Sequence, residues 1–491
     1  MNIRSKCKAL LLCFLSLPLW GDWGLQSSHR YGCGPTQGSE SLIRDGGRLG
    51  VGSLLPSLRG RGWGWGFLFS LPLWGGSGWG CSLYAQQLQR YNPDFGLSAE
   101  NFCDTICIEV EDDLILVPVQ IGGKVYRFCL DTGSSQGMIY ANNNISSLVP
   151  LGNIISRDAN NRVDTVRVVQ LPSFTFATQH TPLTISGYVA SLMPRRSISE
   201  KYDAIIGFDL FNRGLCAKID KQRGMLILTD SRQYFQTEEA AGHTLRYKLK
   251  WFVPYLYVSP FVRHTDEVLF DTGSAPLYTM SKQSFDEHLL NDLTPPTLLQ
   301  KILNPKAAYG KNANEVERQV EGRAEGHLSL GGFGLEKKDE VVFLHLDRLK
   351  WGDFAFTDLR TITTQGASKI GARLLDYGSV VINPFRKQIT FLPDTLLADS
   401  VDASSVHVGN KQFSVAFVPD RGRPIVGLIW EGSQPYKAGM RQGDIILQID
   451  QRPIATYADF LRFRFIKGES HRFRLLTREG TEKIVECIIK E

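Results

Sequence analysis

The chain contains the tetrad Asp-Thr-Gly-Ser twice, at Asp131–Ser134 and at Asp271–Ser274. Each tetrad directly follows an apolar run, Phe128–Leu130 in the first case and Val268–Phe270 in the second. Two carboxylates that are held close together cannot both ionise, so one keeps its proton while the other acts as a base. The two tetrads therefore predict a pair of aspartates that meet in the folded chain and perform acid–base chemistry.

Each tetrad closes a predicted strand–turn–strand unit. In the first half, Leu114–Val119 and Val125–Leu130 are apolar runs separated by the turn signal Gly122-Gly123. In the second half, Tyr255–Val262 and Val268–Phe270 are separated by a short polar turn. The sequence thus predicts that both aspartates lie at the ends of strands in equivalent units.

The two halves match again farther along the chain. A branched apolar run breaks on Gly207 in the first half and on Gly371 in the second half. From these glycines the match continues without a gap over Gly207–Asp230 and Gly371–Asp394. A repeat of whole strand–turn–strand units implies two lobes of one fold. We interpret the runs before the glycines as structural, because branched side chains pack beneath a loop and glycine permits close backbone approach.

The order of strand, Asp-Thr-Gly-Ser, hairpin and Ile-Ile-Gly resembles the pepsin/retropepsin superfamily, and its short lobes are more similar to the bacterial retropepsin-like branch. The resemblance covers roughly residues 110–397. It implies an all-β dominated, two-lobe acid protease fold, with a first lobe at 86–235, a second lobe at 236–397 and the active site between them. A chain with both lobes is expected to form the site alone. A protease assembled from two chains is the alternative.

The resemblance also implies a role for each tetrad residue. Asp131 and Asp271 would clamp one water, whose proton the ionised partner removes while the neutral partner hydrogen-bonds the oxyanion, with no cofactor and no metal. In the supporting loops the threonines would interlock, the glycines would allow tight turns, and the serines would donate to the outer carboxylate oxygens. These supporting residues are Thr132, Gly133, Ser134, Thr272, Gly273 and Ser274. A polar turn after a strand is the alternative for one tetrad alone.

A glycine-rich segment of the second lobe is expected to form a hairpin that covers the substrate as a flap. Its glycines are Gly331, Gly332 and Gly334. In the first lobe the expected hairpin tip, residues 157–162, lacks such glycines. An ordinary surface hairpin is the alternative reading of the second-lobe segment.

The C-terminal stretch, residues 405–491, has a different pattern. Its short motifs Ala438-Gly439 and Gly443-Asp444, the second followed by an apolar run, are similar to motifs of bacterial PDZ domains. The resemblance implies a small α+β domain that captures a peptide, such as a protein C-terminus, by strand addition and holds its carboxylate in a backbone nest. The expected peptide-binding residues are Lys411, Gln412 and Phe413. A domain that only packs against the protease or mediates assembly is the alternative.

Residues 1–85 are expected to carry export information. Three basic residues precede the apolar run 9–15, as in a signal sequence, and a Gly/Trp-rich stretch of low complexity follows. A second apolar run lies at 67–75, and neither run has the ~18–20 residues that a spanning helix needs. We therefore expect an exported protein, periplasmic or associated with the cell envelope of a Gram-negative bacterium, that meets the membrane only through an uncleaved leader. A membrane-anchored N-terminus is the alternative.

Charge and composition restrict the function further. The net charge of +5 comes from residues 1–85, and the rest of the chain has 47 basic and 47 acidic residues. A balanced surface gives no electrostatic argument for nucleic acid, so protein or peptide substrates are expected. The nine cysteines are scattered, and no Cys/His grouping has the spacing of a zinc site. We predict an aspartic endopeptidase, with a non-catalytic exported peptide-binding protein as the alternative.

Overall fold

The computed structural model describes residues 94–141, 144–160, 162–193, 201–293, 314–331, 333–394, 404–409, 413–466 and 468–489. The export segment 1–85 and the predicted site residues Gly332, Lys411 and Gln412 lie outside the described residues. The prediction of a mostly β chain is confirmed, because strands dominate and the described helices are short. None of the helices in these ranges has both the length and the apolar character that crossing a bilayer requires.

The first lobe consists mainly of antiparallel hairpins. Its β4–β5 hairpin turns at Gly122 and Gly123, which both have positive φ angles, as two-residue hairpin turns often require. The elements of this lobe are β1 Gly96–Leu97, β2 Cys103–Cys107, β3 Glu109–Glu111, β4 Leu114–Ile121, β5 Lys124–Leu130, β6 Gly137–Tyr140, β7 Val149–Arg157, β8 Val163–Gln170, β9 Phe174–Phe176, β10 Leu183–Ser186, β11 Val189–Met193, β12 Ala204–Ile206, α1 Asp209–Asn212, β13 Cys216–Asp220, β14 Met225–Thr229 and α2 Gln236–Ala241.

The second lobe repeats this plan with an additional helix. Helix α3 falls between the tetrad and Gly371, in the interval that is about 24 residues longer than in the first half. The elements are β15 His243–Arg246, β16 Lys248–Lys250, β17 Val253–Val258, β18 Asp266–Asp271, β19 Tyr278–Ser281, α3 Lys282–Leu293, α4 Glu315–Arg318, β20 Val320–Gly326, β21 Leu330–Gly331, β22 Gly334–Leu335, β23 Asp339–Trp351, β24 Phe354–Thr364, β25 Lys369–Gly371, a 3₁₀ turn Ala372–Asp376, β26 Gly378–Asn383, β27 Gln388–Pro393 and β28 Ser405–His407.

Each lobe threads one short strand between the two strands that flank its tetrad. In the first lobe β12 runs parallel to β5, with Ile206 opposite Leu130, and antiparallel to β6. In the second lobe β25 runs parallel to β18, with Gly371 opposite Asp271, and antiparallel to β19. The two tetrads therefore leave their strands in the same structural context.

One sheet joins the two lobes. Its strand order is β15-β27-β26-β13-β14-β2, and β13 of the first lobe pairs with β26 of the second, with Ala217 opposite Ile382. A single apolar core continues through both lobes and includes the buried rings of Phe128, Phe270 and Phe391. This shared sheet and core fix the lobes against each other and so fix the two tetrads.

The C-terminal module, residues 413–489, has its own sheet in the order β29-β30-β31-β33-β34 and its own core around Val426 and Phe473. A second apolar cluster joins it to the second lobe, where Phe413 and Leu428 pack with Phe343. The elements are β29 Val415–Asp420, β30 Arg423–Ile429, α5 Gln434–Lys437, β31 Ile445–Ile449, β32 Arg452–Pro453, α6 Tyr457–Leu461, β33 Ser470–Leu476 and β34 Glu482–Ile488.

Candidate active site

The two tetrads interlock through their threonines. The backbone N–H of Thr132 donates to Oγ1 of Thr272, and the N–H of Thr272 donates to Oγ1 of Thr132, both at 3.0 Å. The Thr132 hydroxyl donates to the carbonyl of Phe270 at 2.8 Å, and the Thr272 hydroxyl donates to that of Leu130 at 2.7 Å. Each threonine thus joins the end of its own strand to the end of the partner strand.

The glycines of the tetrads bring the two aspartates together. The N–H of Gly133 donates to Oδ1 of Asp131 at 2.9 Å, and the N–H of Gly273 donates to Oδ1 of Asp271 at 3.1 Å. A methyl group on Gly133 would overlap the Asp271 carboxylate, and one on Gly273 would lie 2.5 Å from Cγ of Asp131. Each glycine therefore lies against the aspartate of the other lobe. We call Asp131 and Asp271 the dyad.

Burial controls the electrostatics of the dyad. Both residues are buried, with 1% of Asp131 and 0% of Asp271 exposed to solvent. Burial raises the pKa of Asp131 well above its usual value, and the charge of Asp271 and a hydrogen bond to it raise this pKa further. The Lys369 ammonium and the Gly133 N–H act in the opposite direction. The dyad therefore retains a proton that an isolated aspartate would lose.

Lys369 is a charged residue of the site that the sequence reasoning missed. Its ammonium Nζ lies 3.0 Å from Oδ2 of Asp271, and the residue is only 8% exposed. It sits in β25, the strand that was interpreted as structural packing before Gly371. A lysine inside an otherwise apolar run was the available signal, because a buried lysine usually requires an acidic partner.

The Ser134 hydroxyl differs from the expectation. The Ser134 hydroxyl donates to the carbonyl of Gln136 at 2.7 Å, so this hydroxyl is used within its own loop and not on Asp131. The serine backbones instead tie the tetrads to the following segments, because Ser134 O accepts from Phe208 N and Ser274 O accepts from Ala372 N, both at 2.7 Å. The same backbone hydrogen bond, from the residue after Gly207 or Gly371 to the tetrad serine, is therefore present in both lobes.

Gly207 and Gly371 lie where the sequence interpretation placed them, beneath the tetrad loops. A methyl group on Gly207 would lie 2.6 Å from the carbonyl oxygen of Gln136. A methyl group on Gly371 would overlap the carbonyl oxygens of Ser274 and Pro276. Only glycine allows the backbone segments to approach this closely.

Two hairpin tips meet near the dyad. Asp158, at the tip of the β7–β8 hairpin and 0% exposed, accepts through Oδ2 from the N–H of Phe333 at 2.7 Å. The same carboxylate accepts through Oδ1 from the N–H groups of Asn160 and Arg162. Arg162 in turn donates from Nη1 to the carbonyl of Phe333 at 3.3 Å. The second-lobe hairpin is therefore bound to the first-lobe hairpin through Phe333.

Phe333 also packs against apolar side chains of the first lobe. It packs against the apolar cluster that contains Cys129, Met138 and Ile205. Burial raises the pKa of the Cys129 thiol well above its usual value, as do the charges of Asp131 and Asp271, which places this cluster beside the dyad. The second-lobe hairpin thus contacts an apolar cluster that lies beside the dyad.

The predicted flap glycines lie at this junction, except that Gly332 is outside the described residues. Gly331 is buried, and a methyl group on it would overlap the carboxylate of Asp158. Gly334 has a φ of 133°, and a methyl group on it would overlap the guanidinium of Arg162. Both glycines therefore permit close contact between the hairpins.

The residues predicted to bind a peptide in the C-terminal module have a different environment. Phe413 is buried, and its ring centroid lies 5.4 Å from that of Phe343 in the second lobe. Lys411 and Gln412 precede it outside the described residues. The structure thus places Phe413 in the contact between the module and the second lobe.

A buried polar cluster in the second lobe lies apart from the dyad contacts. Asp266 accepts hydrogen bonds from the hydroxyls of Tyr278 at 2.7 Å and Ser284 at 2.5 Å, and Ser284 also bonds His288. These bonds hold helix α3 to strands β18 and β19. Within the described ranges, no group of three or more His, Cys, Asp or Glu side chains is arranged to hold a metal ion.

Comparison with known proteins gives a distant structural likeness. No protein-family model matches the chain, and no curated protein sequence is significantly similar to it. The structure is similar to basic 7S globulin from soybean, with a TM-score of 0.36 and 11% identity over 62% of this chain and 98% of the globulin. It is also similar to conglutin gamma, a basic 7S globulin from lupine seeds, with a TM-score of 0.37 and 9% identity over 60% of this chain and 96% of that chain. Both TM-scores are below 0.5, so the function is inferred from the geometry of the site.

Proposed function

We propose that the chain is an aspartic endopeptidase that hydrolyses peptide bonds with a water activated between Asp131 and Asp271. The observation that supports this proposal most directly is the reciprocal contact of the tetrads, in which each glycine lies against the aspartate of the other lobe. Equivalent strands of two repeated lobes bring together two buried carboxyl groups that share one proton. Such a pair can act as acid and base at once.

The proposed reaction needs no covalent intermediate. The ionised carboxylate removes a proton from the water as its oxygen attacks the peptide carbonyl carbon. The protonated carboxyl donates its hydrogen bond to the carbonyl oxygen, which gains negative charge and then the proton. The carboxyl that received the water proton then gives it to the amide nitrogen as the C–N bond breaks. One hydroxyl of the gem-diol intermediate returns its proton to the other carboxylate, so the new carboxylic acid leaves and the dyad again holds one proton.

Substrate entry requires the hairpin tips to separate. The dyad is almost completely buried, and Phe333 is bound to both Asp158 and Arg162 across the two hairpins. A polypeptide can reach the carboxyl groups only when these contacts open. We therefore propose that the structure corresponds to the closed state of the enzyme.

Exchange of either dyad aspartate for asparagine tests the proposal. Asp131→Asn and Asp271→Asn should each lower kcat/KM on casein by about 100- to 10,000-fold, because the pair loses its acid or its base. Asp266→Asn is the matched control, since Asp266 is a buried aspartate on the same strand as Asp271 but outside the dyad. The wild-type rate should fall at both low and high pH, as for a pair that shares one proton.

Three outcomes would contradict the proposal or its assignment of the site to a single chain. Dyad variants that cleave casein as fast as the wild-type chain would show that the reaction occurs elsewhere. Tight binding of peptides without turnover by the folded wild-type chain would instead support a non-catalytic peptide-binding protein. Proteolytic activity found only in the fraction that sediments as a dimer would support a site shared between two chains.

For the C-terminal module we propose a PDZ-like domain that binds a peptide or a protein C-terminus. Strand β29 stands at the end of the module's sheet order, and the Tyr457 hydroxyl of α6 donates to the carbonyl of Phe417 in β29 at 3.1 Å. A strand and a helix in this arrangement are the parts that strand addition uses. Titration of the full chain with a library of free C-terminal peptides tests this, and no saturable binding would argue for a purely structural module.

We also propose that residues 1–85 direct export to the periplasm or cell envelope of a Gram-negative bacterium. Basic residues before an apolar run in this segment support the proposal. Cell fractionation tests this proposal. It compares the location of the full chain with that of a chain lacking residues 1–85. Equal cytoplasmic recovery of both chains would contradict it.

A further inference from the structure

The two sides of the dyad differ in one charged side chain. Ile205 lies opposite Cys129 in the first lobe, and Lys369 lies opposite Leu269 in the second. Cys129 and Leu269 each precede the tetrad aspartate by two residues, so Ile205 and Lys369 occupy equivalent positions in the repeat. The repeat therefore supplies an apolar side chain to one aspartate and an ammonium group to the other.

The ammonium group is close enough to decide where the negative charge resides. Lys369 Nζ lies 3.0 Å from Oδ2 of Asp271, and the side chains are 10% and 0% exposed. A cation at this distance from a buried carboxylate strongly favours the ionised form. Ile205 instead packs with Cys129 and Met138 in an apolar cluster and supplies no charge to Asp131.

We infer that Lys369 assigns the two roles within the dyad. Asp271 is the ionised base that removes the proton from the water, and Asp131 is the protonated acid that donates to the substrate carbonyl. Lys369 acts through Asp271 and is therefore a positioning residue. The inference extends the proposed function, since the roles have meaning for the reaction only if the dyad is catalytic.

The other titratable groups around the dyad agree with this assignment. Burial raises the pKa of Cys129, Tyr202 and Tyr255 above their usual values, so these groups are neutral at neutral pH. Burial and the charge of Asp271 raise the pKa of Asp131 well above its usual value, and the opposing effect of the Lys369 ammonium on Asp131 is smaller than these causes. These neighbours therefore leave the proton on Asp131 and add no charge that competes with Lys369.

Replacement of Lys369 tests the inference through the pH profile of kcat/KM. Lys369→Met removes the charge and keeps an unbranched side chain, so both limbs of the profile should move to higher pH by about 1 to 3 units. Lys369→Arg keeps the charge and should restore most of the wild-type profile. Lys483→Met is the control, because Lys483 also pairs with a buried aspartate, Asp444 at 2.7 Å in the C-terminal module, but not with the dyad. A Lys369→Met profile that coincides with the wild-type profile would overturn the inference.

A second measurement does not depend on turnover. Aspartate carboxyl carbons labelled with ¹³C, and assigned with Asp131→Asn and Asp271→Asn, report the charge of each group directly. At mildly acidic pH, Asp271 should give the signal of a carboxylate and Asp131 that of a carboxylic acid. In the exchanged variant Ile205→Lys/Lys369→Ile the two signals should exchange.

The two measurements separate the possible failures. A protein with the expected carboxyl signals and no proteolytic activity would contradict the proposed function while the charge assignment held. A protein that cleaves casein with Asp131 ionised and Asp271 protonated would contradict the assignment alone.

Discussion

Asp209 is a further buried carboxyl group, and it lies two residues after Gly207. We expect it to make stability depend on pH. It accepts at 2.8 Å from the Tyr188 hydroxyl, which itself accepts from the N–H of Gly207. Burial raises the pKa of Asp209 from its usual 3.8 to about 7, although the hydrogen bonds from Tyr188 and the backbone oppose this shift. The folded chain therefore holds a proton on Asp209 that the unfolded chain releases near pH 4.

Asp209→Asn should remove this part of the pH dependence of stability. The folded state binds the proton more tightly than the unfolded state, so the contribution is fully present below pH 3.8 and is lost as the pH rises through about 7. Over that window the wild-type chain should lose on the order of 4 kcal/mol relative to the Asn variant. Urea unfolding at a series of pH values measures the difference between the two chains.

A matched change in the hydrogen-bond donor checks the cause. Tyr188→Phe removes a donor that favours the ionised form of Asp209, so the loss of stability should extend to higher pH. An Asp209→Asn chain with the same pH dependence as the wild type would show that Asp209 does not titrate in this range.

At the residue scale, the sequence predicted the groups whose position follows from the repeat. The two tetrads and the close approach at Gly207 and Gly371 follow from matching one half with the other. The threonine interlock was implied by the family resemblance. The Ser134 hydroxyl and Lys369 could not be placed in this way. Their contacts depend on side-chain directions within the folded loops and on a difference between the halves, which a repeat does not encode.

At the scale of elements, the contact between the two hairpins controls access to the dyad. Phe333→Ala removes the ring that packs against the cluster of Cys129, Met138 and Ile205, so the hairpin should open more often. Loss of roughly 1.5 kcal/mol of apolar burial should increase opening by about tenfold. The rate of Cys129 alkylation, followed by mass spectrometry under conditions where the fold is intact, measures this opening.

The same molecule contains the control for this experiment. Cys216 is also a buried cysteine, but it belongs to a cluster with Phe235 and Val381 that does not include the hairpin. Its alkylation rate should not change in Phe333→Ala. A parallel increase at both cysteines would indicate general unfolding, and no increase at Cys129 would show that Phe333 does not limit access.

Each hairpin could be expected from its own sequence, but the contact between the two hairpins could not. Turn residues and alternating patterns indicate the tip at 157–162 and the glycine-rich segment around Gly331. Asp158 and Phe333 are separated by 175 positions, and their hydrogen bond forms only when both lobes are in place. Local patterns carry no information about such a contact.

At the scale of the whole molecule, a buried ion network helps the shared sheet to join the lobes. Lys221 of the first lobe donates to Asp113 and to Asp376 of the second lobe, both at 2.6 Å. Arg373 of the second lobe donates to the other oxygen of Asp113 at 3.2 Å. Burial disfavours the charge on Asp113, but the two cations outweigh it and lower its pKa.

Asp113→Asn should therefore destabilise the chain strongly. The substitution leaves Lys221 and Arg373 buried with less negative charge, and the free energy of unfolding should fall by about 3 to 5 kcal/mol. Glu111→Gln is the control, because the ion pair of Glu111 with Arg127 is only partly buried and should contribute less than about 1 kcal/mol. Equal urea midpoints for the two variants would show that the network does not hold the lobes.

The docking of the C-terminal module has a consequence for how the protein could be controlled. The module contacts the arm of the second-lobe hairpin, because Gln442 donates to the carbonyl of Glu325 at 2.8 Å and Gly427 accepts from the N–H of His327 at 3.1 Å. The module thus contacts the chain segment that leads into the second-lobe hairpin. By thermodynamic reciprocity, a ligand that binds the module more tightly when the hairpin is open must favour opening by the same free energy. Binding of such a ligand to the module would then change the rate of the reaction at the dyad.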